Sequence, residues 1–187
     1  MTAFLATCRC SLKALVAAGA VGTAGMVLAD TSPYAGQDQR PIAALSSQDI
    51  EALLAGQGWG FAKPAELNGY PGPSHVLDLA EDLDLSAQQR AQVQRIFDRM
   101  QTEAQALGAQ YVAAESALDA AFAANAITAE QLTVLTGQAA MIEAQLRRVH
   151  LAAHLETAPV LTRHQTMIYN KARGYGEGAG PSQHDGH

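Results

Sequence analysis

One phrase occurs three times in this chain: Leu85-Ser86-Ala87-Gln88-Gln89, Ile127-Thr128-Ala129-Glu130-Gln131 and Leu161-Thr162-Arg163-His164-Gln165. Each copy is an aliphatic residue, a hydroxyl residue, two variable positions and a glutamine. Each also opens a segment with helical apolar spacing. The hydroxyl accepts a hydrogen bond from the third backbone N–H of the new helix, and the glutamine reaches back to the N–H of the cap. Ser86 with Gln89, Thr128 with Gln131 and Thr162 with Gln165 therefore fix three helix starts by local chemistry. A single box of this kind is weak evidence, but three in one frame predict an all-α chain.

Apolar spacing extends the prediction. From Ser86 to about Ala124 the apolar residues fall at Val93, Phe97, Met100, Ala104, Leu107, Tyr111, Ala114, Leu118 and Ala121, in alternating steps of four and three. That is the seam of a supercoiled helix. After Asn125-Ala126-Ile127 the rhythm resumes at Leu132, Leu135, Ala139, Ile142, Leu146, Val149 and Ala153. Each helix would run on the order of 45–55 Å at about 1.5 Å per residue. So short a connection forces them into a long antiparallel hairpin. Thr162 starts a last, shorter helix to about Arg173.

What flanks the hairpin is more varied. Residues 1–29 carry Arg9 and Lys13, then an uncharged run from Ala14 to Leu28 ending in Val27-Leu28-Ala29, the pattern of a secretory signal peptide. The run is short for a spanning helix, so cleavage is expected, with an uncleaved membrane anchor as the alternative. Residues 30–73 read as a polar linker, a short helix capped by Ser46 and Asp49, and a Gly/Pro loop that carries Trp59, Phe61 and Tyr70. The aromatic residues are expected to cover a helix surface, with a binding loop as the alternative. His75 to Leu83 is a further short helix, so residues 74–173 form the hairpin domain. Residues 174–187 are Gly, Ser, Pro and His with almost no apolar content, a tail expected to be disordered.

Both cysteines, Cys8 and Cys10, fall inside the leader, so the mature chain has no thiolate for catalysis or metal binding. Loss of Arg9 and Lys13 takes the net charge from −6 to about −8, which argues against a nucleic-acid partner. No phosphate loop or nucleophile elbow is present, and an enzyme is not expected. Off the seam lie Ile96, Leu151, Leu155 and Val160, which two helices alone would leave wet. Either a second copy or the segment before Ser86 must cover them, and a homodimer is the favoured solution.

The candidate chemistry sits at His150-Leu151-Ala152-Ala153-His154. Two imidazoles four apart project from one helical face and can share a metal. The hairpin turn brings His75 to the same level, and Asp78, Glu81 or Glu156 could add an oxygen. Such a site, rich in imidazole and free of thiolate, suits Ni²⁺, Co²⁺, Cu²⁺ or Zn²⁺. Leu151 stands where a zinc peptidase would need its glutamate. Met100, Met141 and Met167 read as core filling.

Leu85-Ser86 with Gln89 and Leu161-Thr162 with Gln165, behind a signal peptide, resemble the "LTxxQ" motifs of the Spy/CpxP-type periplasmic proteins, a group that includes CnrX- and ZraP-like members. The resemblance covers His75 to Arg173. It implies a periplasmic, usually dimeric protein with a hooked four-helix architecture. CnrX-like members bind metal through histidines on an early helix and an i, i+4 pair on a later one, and report to a membrane-bound signalling partner. Here Leu79 stands where such relatives carry a second early histidine, and His154 takes the place of a methionine. Spy-like members are ATP-independent chaperones, which would bind unfolded clients on the inner face around Phe97, Met100 and Tyr111. Their client-binding face is typically basic, whereas this chain is acidic. Two functions are therefore expected: a metal sensor or resistance protein using His75, His150 and His154, or a chaperone.

Overall fold

A computed structural model describes residues 32–175; the expected leader and the tail beyond Tyr175 lie outside the described residues. The chain divides into two compact units between Ala35 and Gly36, and the second unit is described below. Among the described residues its α-helices are α1 (Ser47–Leu54), α2 (Lys63–Glu66), α3 (Pro73–Asp78), α4 (Ala87–Ala123), α5 (Ala129–Thr157) and α6 (Arg163–Ala172). No strand occurs among the described residues, and the fold is all-α.

All three repeated phrases form reciprocal caps. Ser86 N–H donates to Gln89 Oε1 at 3.1 Å while Gln89 N–H donates to Ser86 Oγ at 3.2 Å. Thr128 with Gln131 and Thr162 with Gln165 repeat the pattern at 2.9 and 3.2 Å. Ser46 and Asp49 make a fourth box at the start of α1. Two of the glutamines then do something local spacing does not require. Gln89 Nε2 donates to Gln165 Oε1 at 2.9 Å, and Gln165 Nε2 donates back to Gln89 Oε1 at 3.2 Å. The same amides reach Val160 O and Leu83 O. A glutamate would cap as well but could not donate, so the amide is needed where α4 and α6 begin side by side. Gln131 has no such tertiary bond among the described residues.

The two long helices pack against one another. Arg99 pairs with Glu156, and Tyr111 lies within electrostatic reach of Glu143. α3 and α6 pack at the end of α4 remote from its connection to α5. In contrast, α1 crosses α4 near its middle, at Gly108, whose Cα leaves room for a backbone: a Cβ on it would stand 2.1 Å from Leu53 O. One core cluster forms around that crossing, from Leu45, Leu53, Phe61, Ala104, Tyr111, Leu146 and Val149. A second, of Val76, Leu83, Val93, Leu161 and Tyr169, locks α3 and α6 onto the start of α4. Each fully buried aliphatic side chain contributes about 1.5–3 kcal/mol.

The off-seam residues divide. Ile96 is buried within the single chain, and Leu151 and Val160 are half-buried. Leu155 remains 61% exposed. No helix among the described residues is long and apolar enough to cross a membrane.

Candidate functional site

A cavity of about 560 Å³ opens between α4, α5 and the segment from Ala55 to His75. Its walls include His75, His150 and His154, together with Phe97 and Met100 from α4 and Trp59 from the aromatic loop. Helical spacing presents His150 and His154 on one face of α5, as the i, i+4 interval requires. Both are buried, at 3% and 5% exposure, because the loop from Trp59 to Gly72 folds over them.

The loop is held down by specific contacts. Trp59 Nε1 donates to Asp49 Oδ1 at 2.8 Å. The hydroxyl of Ser46, then this indole, keep the Asp49 carboxyl below its ordinary pKa. Phe61 meets Trp59 edge-on, 5.5 Å between centroids, and stacks on the His150 ring at 6.1 Å. The aromatic residues thus cover a helix surface and also wall a cavity.

The two imidazoles differ. His154 Nδ1–H donates to Tyr70 O at 2.8 Å, which fixes the tautomer and leaves Nε2 with its lone pair. A backbone carbonyl behind the ring is the support that metal-ligating histidines commonly have. His150 Nε2 is buried with no hydrogen-bond partner. Burial, and then the neighbouring His154, hold the His150 pKa below the ordinary imidazole value, so the ring is neutral near pH 7.

Gly72 completes this wall. A Cβ there would lie 2.8 Å from His154 Cε1 and 2.9 Å from Glu66 Oε1, so only glycine leaves the space that the imidazole and the carboxylate both border. Glu66 is itself positioned by Tyr169, whose hydroxyl donates to Oε1 and Oε2 at 2.9 and 3.0 Å and accepts from Gly72 N–H at 3.2 Å. Burial, with the negative Glu66 beside it, raises the Tyr169 pKa above the ordinary phenol value.

The oxygen donors named from sequence are elsewhere. Glu156 pairs with Arg99 outside the cavity. Asp78 faces His75 Nδ1 at 3.6 Å, and Glu81 is exposed. The carboxylate on the cavity wall is Glu66, the last residue of the short helix α2, which forms within a Gly/Pro-rich stretch that no periodicity announces. Its only sequence signal is being the sole acidic residue between Glu51 and Asp78. Among the described residues, no three His, Cys, Asp or Glu side chains lie close enough to hold one metal ion. His154 and Glu66 converge, while His75 and His150 stand on the same walls without closing on them.

The three residues expected to meet unfolded clients are also placed. Phe97 and Met100 are half-buried in the cavity wall, and Tyr111 is buried beneath α1 and Trp59, 6.0 Å between ring centroids. Comparison with known proteins gives no match: no family model, no curated protein and no solved structure corresponds to this chain.

Proposed function

We propose that the chain is an exported, periplasmic metal-binding sensor or resistance protein, not an enzyme, with a divalent transition metal held in the cavity between α4 and α5. The reading includes a hooked helical hairpin, a homodimer and a membrane-bound signalling partner. One observation carries it: His75 and the pair His150 and His154, which lie far from it in sequence, line one cavity. The donor chemistry fits. His154 offers Nε2 with its other nitrogen anchored, His150 has a buried nitrogen without a partner, and Gly72 leaves space beside Glu66. Loading would draw His75 or His150 onto the pair formed by His154 and Glu66, replacing a buried unsatisfied nitrogen with a bond. Calorimetric titration of the mature chain with Ni²⁺, Cu²⁺ and Zn²⁺, with molecular mass recorded in parallel, tests this. Substituting His150 and His154 by alanine should abolish binding, and unchanged affinity would remove the proposal.

A second reading, ATP-independent holding of unfolded clients, draws on a different surface. Phe122, Leu132, Val134 and Met141 are exposed near the connection of α4 and α5. Suppression of aggregation without metal would favour it, and inactivity at stoichiometric excess would count against it.

A further inference from the structure

The same cavity has a chemical character that metal binding leaves unused. Its charged lining consists of Lys63 and Arg173 against Glu66, so the wall carries an excess of positive charge in a chain whose net charge is −6. Arg173 arrives from the end of α6, with its guanidinium 5.9 Å from the centre of the Tyr175 ring. Its guanidinium also hydrogen-bonds with the Tyr175 side chain and lies within electrostatic reach of Glu66. No carboxylate comes within 4 Å of it among the described residues, however, and its Nε is buried without an acceptor. Buried polar groups are nearly always satisfied, so this orphan on the cavity wall calls for an explanation. The lining also has an apolar and aromatic part, from Trp59, Phe97 and Met100. A volume of about 560 Å³ is of the size that holds a small organic molecule.

We infer that the cavity binds a small organic acid, a carboxylate on an aromatic or similarly flat apolar body. The carboxylate accepts from Arg173, and the body lies against Trp59, Phe97 and Met100. A guanidinium fork matches a carboxylate better than any neutral acceptor, and charge-assisted bonds are roughly twice as strong as neutral ones. Selectivity for acids over their amides should follow. The inference does not rest on the metal reading, since neither Arg173 nor the apolar wall is a metal donor.

The test uses the full mature chain, stripped of metal by chelation and dialysed, titrated with 2-naphthoate and with 2-naphthamide. The acid should bind at least tenfold more tightly than the amide. In Arg173→Met that preference should vanish, while affinity for the amide stays within twofold of wild type. Trp59→Ala should weaken both ligands alike. Equal affinities for acid and amide in the wild type, a preference that survives in Arg173→Met, or no binding of either ligand would each overturn the inference. So would acid binding seen only after Zn²⁺ is restored, because the carboxylate would then be bound by the metal and not by Arg173. The wild-type comparison of acid with amide needs no variant to fold. The metal proposal fails separately, if alanine at His150 and His154 leaves metal affinity unchanged.

Discussion

The two ends of the long helices carry one apolar rhythm and meet different fates. Toward the cavity, Val93, Ala104, Leu146, Val149 and Ala153 are buried. Toward the connection the same seam leaves Leu132 40% exposed, with Phe122, Val134 and Met141 wet beside it. The difference is the cover. α3, α6 and the aromatic loop cover one end and α1 the middle. Toward the connection the cover among the described residues thins to the segment before α1, where Ala43 N–H donates to Asp119 Oδ1 at 3.4 Å. Two helices in contact bury only a narrow stripe of each, so a seam position becomes core only where a third element closes over it.

The sharpest way to break this comparison is to truncate one leucine at each end. Leu146→Ala, at 1% exposure, should cost about 2–5 kcal/mol in chemical denaturation. Leu132→Ala should cost about 0.5 kcal/mol or less. Equal costs would mean that the connection end is covered in solution, as a second copy of the chain would do.

Next in size is Gly108→Ala. The new methyl would collide with the Leu53 backbone, so α1 must lift from α4 or both must shift. A loss of about 1–3 kcal/mol is expected, with faster hydrogen exchange in α1 than in α5. An unchanged stability would show that the α1 crossing is not the closure that makes this end a core.

A pH series sharpens the contrast further. The folded His150 ring resists protonation, while in the unfolded chain it titrates near its ordinary value of 6.5. Below that pH the unfolded state binds more protons, so metal-free protein should lose stability as pH falls through 6.5, levelling off once the folded ring also protonates. His150→Gln should flatten that part of the profile. A wild-type profile no steeper than the variant's would contradict the burial of this ring. The smallest effect belongs to Met141→Gln at the open end, expected within about 0.5 kcal/mol of wild type by thermal unfolding.

How much of this was legible beforehand depends on the range of the forces involved. Ser86, Thr128 and Thr162 announce helix starts because a cap is settled among four consecutive residues, and all three form as read. The i, i+4 geometry of His150 and His154 is equally local. Their burial was not legible, because it depends on Phe61 and Tyr70, which come from a loop without periodicity. Glu66 went unseen for the same reason. Met100 packs against the core, as its spacing suggested, and also lines the cavity wall, which spacing did not show.

Sequence alone determined the four capped helices α1, α4, α5 and α6, their order and their starts, since backbone hydrogen bonds and caps are satisfied within a few residues. α2, in a stretch read as loop, and the start of α3 at Pro73 were not among them. Only the tertiary structure decided which stretch of the seam became a core, that Gln89 and Gln165 would clasp each other, and that one cavity would hold both imidazoles beside Arg173. Those outcomes depend on contacts between residues some 70 to 100 positions apart, of the kind seen between Glu66 and Tyr169, and no local pattern encodes which distant surface closes over which.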